Sequence, residues 1–179
     1  MHIVSELFVA REAAARRYLG AWDEEAALEG SDDWFDEATD GGDDVEAPVD
    51  MLPDETADPP SPLDEAREAL VAHDQRSDLD ATHVSRLWDL LEDVKSSPVR
   101  DLERVTRHGS RTLFRLPVAL VRALAAVQNA DVDAIVQQWT GPGGFRTTTI
   151  NAADILRSLR DLAKRTQGAG IGLYLLVLH

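Results

Sequence analysis

The stretch HDQRSDLDATH, residues 73–83, gathers side chains that could hold a metal. His73, Asp74, Asp78, Asp80 and His83 offer the imidazole and carboxylate ligands that suit zinc or iron. The two histidines do not have the i, i+4 spacing of a two-histidine helix motif, and Asp80 is well placed to cap a helix. The stretch therefore reads as a surface loop between helices, with His73, Asp78, Asp80 and His83 as its minor metal candidates. A calcium loop fares no better. In DEATDGGDDVEA, residues 36–47, Asp36, Asp40, Gly41 and Asp44 fall at positions one, five, six and nine of an EF-hand. Position three is Ala38, and position twelve is Ala47, where a bidentate glutamate is required.

Other chemistries are missing. GAGIG, residues 168–172, carries nucleotide-loop glycines, but a helix precedes them and a strand follows, the reverse of the fingerprint. It reads as a helix C-terminus whose glycines supply left-handed backbone. GPGGF, residues 141–145, lacks the Lys-Ser/Thr of a phosphate loop. No serine sits in a G-x-S-x-G elbow, the five histidines are scattered, and the absence of cysteine removes thiolate nucleophiles and Cys-ligated zinc. No catalytic motif is present. The expectation is a non-enzymatic protein without a cofactor.

Charge is the strongest signal. The net charge is −15, unevenly spread: residues 1–95 carry 27 acids and 7 bases, residues 96–179 carry 6 acids and 11 bases. From Asp23 through Asp64 there are 17 acids and no Lys or Arg. Such a chain repels phosphates, so direct nucleic-acid binding is not expected. No apolar run is long enough for a membrane span, and the start lacks a secretory signal pattern, which fits a cytoplasmic protein. Within the acidic stretch, Asp32, Asp33, Trp34, Phe35, Asp36 and Glu37 pair acids with two large aromatics. Aromatics anchor and acids steer at interfaces with basic partners. The structural alternative is that Trp34 and Phe35 pin the start of a loop to the core. Arg104, Arg107, Arg111 and Arg115 form a candidate basic patch around a predicted hairpin.

The elements that would position these residues follow from periodicity. HIVSELFV, residues 2–9, reads as a strand, and an Ala-rich helix with Ala14, Tyr18 and Trp22 on one face follows. Ser61-Pro62 starts a helix running to about His73. A helix from Asp80 carries Val84, Leu87, Trp88 and Leu91. Residues 102–106 and 112–116 read as strands joined by His108-Gly109-Ser110. Helices open at Pro117, Asp131 and Asn151, each of the last two read as a cap. LYLLVL, residues 173–178, reads as a central strand buried on both faces. The expectation is one α+β domain: a small mixed sheet including the first and last strands and a hairpin, packed by about five or six helices, with an acidic, flexible insertion at about 30–61.

This order of parts resembles the YfbM-like small bacterial proteins, a family of uncharacterised function. The resemblance rests on SELFVA with a helix behind it, the helix RLWDLLED, the Leu-Pro opening of LPVALVRALAAV, and the closing GIGLYLLVL. It covers most of the chain outside 30–62 and implies an α+β fold. RLWDLLED departs from the family's Trp-Asp-Gly pattern, and the resemblance transfers no catalytic residue. The functional expectation is an acidic interaction protein, of the immunity or inhibitor kind, that binds a basic protein partner. The alternatives are a small metal-dependent enzyme using the His73–His83 stretch, or a structural domain with a solubilising acidic loop.

Overall fold

The computed structural model describes residues 4–29, 61–77, 79–91, 102–166, 168 and 170–178. The acidic-aromatic candidates Asp32, Asp33, Trp34, Phe35, Asp36 and Glu37, and the metal candidate Asp78, lie outside the described residues. The chain order is β1 (Val4–Arg11), α1 (Glu12–Glu29), α2 (Pro62–Glu68), β2 (Ala72–Ser77), α3 (Ala81–Leu91), β3 (Glu103–His108), β4 (Arg111–Arg115), α4 (Val118–Ala126), α5 (Val132–Trp139), α6 (Thr149–Lys164) and β5 (Ile171–Leu178).

The only polar side-chain atom along β5 is the Tyr174 hydroxyl, and β5 takes the middle of a five-stranded sheet ordered β2-β1-β5-β4-β3. A strand without a polar face must be covered on both sides. Its alternation splits the core into two layers. Leu173, Leu175 and Val177, with Leu7 and Val9 of β1, face the layer of α3, α4, α5 and α6. Tyr174 and Leu176, with Phe8, Ala10 and Leu113, face the thinner layer of α1 and α2. Leu173, Leu175, Leu176 and Val177 are at most 1% exposed, and burying each such side chain contributes roughly 1.5–3 kcal/mol.

The α+β class, the pairing of the first strand with the last and the hairpin all stand as expected. The expected mixed sheet does not: every ladder is antiparallel. Gly109, at φ 53, supplies the left-handed turn of the hairpin.

The main correction falls on residues 69–77. The helix from Ser61 ends at Glu68, and residues 72–77 form β2, an edge strand, instead of continuing into an inter-helix loop. AHDQRS carries no apolar alternation because it lies at the rim. Its pairing with β1, from Val4↔Ser77 to Val9↔Ala72, is what makes it a strand. Polar edge strands also resist unwanted pairing with other chains. Two caps shift as well. Thr148 caps α6 by accepting from the Asn151 N–H at 3.2 Å, and Asp131 sits in a short 3-10 turn with no side-chain cap bond.

Candidate functional site

On a period of two, Glu6 shares the face of Phe8 and must enter the apolar layer under α1 and α2. It is 1% exposed, the only carboxylate among the described residues buried to that degree. Three other elements supply its polar surroundings. From α1, the Tyr18 hydroxyl donates to Glu6 Oε2 at 2.7 Å. From β2, His73 lies opposite Phe8 in the ladder, and its Nε2 is 3.4 Å from the same oxygen. From α2, Arg67 donates to the Tyr18 hydroxyl at 3.5 Å. Aromatic packing closes the cluster. Phe8 meets Tyr18 edge-on at 5.2 Å and stacks on Tyr174 at 5.7 Å, and Tyr18 meets the His73 ring at 6.1 Å.

Burial pushes the Glu6 carboxyl up, but His73, the Tyr18 hydroxyl and the Arg67 charge outweigh it and hold the group below the ordinary carboxylate range. Tyr18 is driven the other way. Burial, then its bond to Glu6, raises the phenol to about 12. Glu6 is therefore an ionised acceptor and Tyr18 a neutral donor through the physiological range. This arrangement clamps β1, α1, α2 and β2 together.

The sequence-level metal candidates are not brought together. His73 points into the α1–α2 layer. His83 lies on the other side of the sheet, packed 4.4 Å from the Phe145 ring, and it makes a reciprocal cap with Asp80. There the Asp80 carboxylate accepts the His83 N–H at 2.8 Å, and His83 Nδ1 accepts the Asp80 N–H at 3.3 Å. That contact, offset by burial, leaves the Asp80 carboxyl lowered. Asp74 is taken by Arg76 and by the Ser158 hydroxyl of α6. Among the described residues no group of three His, Asp or Glu side chains is placed to hold a metal ion.

The four arginines do sit on the β3–β4 hairpin, but register divides them between two faces. Arg111 and Arg115 lie opposite Leu178 and Tyr174, on the α1 face. There the Arg111 guanidinium lies 5.3 Å from the Trp22 ring centroid, and Arg115 approaches Glu12 at 3.9 Å. Arg104 and Arg107 pair with Phe114 and Thr112, on the opposite face, and are exposed. They are not one continuous patch.

Charge is partitioned along with the fold. The described residues carry 17 acids and 16 bases, a net of −1. Residues 30–60 carry 12 acids and no base. The acidic stretch runs in sequence between α1, which ends at Glu29, and α2, which starts at Pro62, and these two helices pack on each other.

Sequence reasoning missed the Glu6 cluster, although the lone acid within VSELFVAR, in phase with Phe8, was a usable signal. Arg67 carried none, because its role depends on how α2 docks. In comparisons with family models, curated proteins and solved structures, nothing matches the chain.

Proposed function

We propose that this is a non-enzymatic interaction protein that captures a basic protein partner through its acidic stretch. The observation that carries the reading is the charge partition: described residues of net −1, and a stretch of 12 acids and no base that links two packed helices. An acidic surface needed only for salt tolerance would spread its charge over the whole fold. Concentrated charge instead steers a cationic partner and makes its association salt-sensitive. Asp32, Asp33, Asp36 and Glu37 supply the steering charge, and Trp34 and Phe35 the apolar anchors. The buried Glu6 cluster, which joins α1 and α2 to the sheet, serves as the frame that fixes the two helices on either side of the stretch.

The test is capture of cationic proteins by the full chain at low and high salt. Asp32, Asp33, Asp36 and Glu37 are then all replaced by lysine. Salt-sensitive capture that disappears in the reversed variant supports the reading. Capture that is indifferent to both salt and the substitutions removes it.

A further inference from the structure

The open end of the sheet holds a second feature, independent of the acidic stretch. A cavity of about 460 Å³ lies between α4, the end of α6, Gly168, Gly170 and the facing ends of β4 and β5. That volume falls within the range of small-molecule sites. Its walls are apolar, with Leu116, Val121, Ala163 and Leu173 contributing from four different elements or their ends. Val118, one of three large apolar side chains exposed among the described residues, lies on its rim at 58% exposure. The polar side of the rim is cationic. Arg122 projects from α4, and among the described residues it makes no hydrogen bond or ion pair. Arg115 also contributes to the lining, but its guanidinium is engaged 3.9 Å from Glu12 on the α1 face, so the cation offered to a ligand is Arg122.

An apolar cavity with a cationic rim matches one kind of small ligand, a body without polar groups that ends in an anion. No carboxylate among the described residues lines this cavity, so a cationic or zwitterionic head would find no partner among them. Guanidinium groups bind carboxylates through paired, charge-assisted hydrogen bonds. We infer that this groove binds an amphipathic monocarboxylate, its apolar chain lying against Val121 and Leu173 and its carboxylate meeting Arg122.

Decanoate, kept below its micellar range, is the probe, titrated calorimetrically into the full chain. Decanol and decyltrimethylammonium serve as the uncharged and cationic controls. The expected result is one saturable decanoate site and at least tenfold weaker binding of both controls. Arg122→Gln, at an exposed position, should weaken decanoate about tenfold and leave decanol unchanged. Ala125→Trp, which fills the half-buried α4 side of the cavity, should abolish binding. Thermal melts of both variants check that the fold is retained, and if Ala125→Trp unfolds, Ala125→Leu replaces it with partial loss expected. Absence of saturable decanoate binding overturns the inference. So does binding that Arg122→Gln and the filling variant leave unaltered, or equal binding of all three probes.

Discussion

The Tyr18 hydroxyl donates a 2.7 Å hydrogen bond to the buried carboxylate of Glu6 and so ties α1 to β1. Removing that donor leaves a buried charge short of a partner, which costs more than the bond itself contributes. Tyr18→Phe should therefore destabilise the fold by about 1–3 kcal/mol, read as a lower urea midpoint with an unchanged slope. An unchanged midpoint would mean that His73 alone satisfies Glu6.

The same pair sets a pH dependence with two arms. The Tyr18 phenol is raised from 10.0 to about 12 in the folded state, so its contribution is complete below pH 10 and disappears as pH climbs towards 12. Glu6 is lowered, so its contribution is present above the ordinary carboxylate range and declines as pH falls through the folded value. Stability curves of the wild type and Tyr18→Phe, measured across pH, should converge between pH 10 and 12. Curves that stay parallel over that window would contradict the assignment.

Gly144 makes a purely steric prediction. The Trp139 carbonyl accepts the Phe145 N–H at 2.8 Å, folding the loop so that Phe145 packs 4.9 Å from the Trp139 ring. A Cβ on Gly144 would collide with that carbonyl oxygen and sit 2.9 Å from the Gly141 carbonyl oxygen, both rigid backbone atoms. Gly144→Ala should cost about 1–3 kcal/mol or more, seen as a drop in Tm. Gly20→Ala, where a Cβ meets nothing within 4 Å, should not destabilise, since alanine favours an exposed helix.

At the start of α6 the capping side chain is Thr148, not Asn151. Thr148→Ala should lower stability by about 1 kcal/mol, with Thr148→Ser retaining most of it. Equal stability of wild type and Thr148→Ala in denaturant would place the cap elsewhere.

The parts of the fold legible in the sequence were those with dense local patterns. Val84, Leu87 and Trp88 announced α3 by spacing alone, and the apolar run at 173–178 announced a central strand. What stayed hidden depends on partners far along the chain. AHDQRS has neither strand composition nor alternation, and it is a strand because β1 offers it a free edge. The division of Arg104 and Arg107 from Arg111 and Arg115 depends on a register that includes an irregularity between Arg104 and Thr106. One extra residue there changes which face each side chain takes. The candidate acids at 32–37 were visible as composition, and their reading still rests on charge.

Antiparallel pairing of β1 with β5 has a consequence for how the molecule is made. Residues 4–11 are synthesised well before residues 171–178, the strand they pair with. Until then β1 lacks the ladder partner on its β5 edge, and the hairpin has no neighbour at β4. The central ladder must also close the longest loop in the chain, and such distant contacts slow folding. Assembly of the five-stranded sheet must therefore wait for residues 171–178, and a nascent chain stalled before residue 171 would hold β1 and β4 without the strand that joins them.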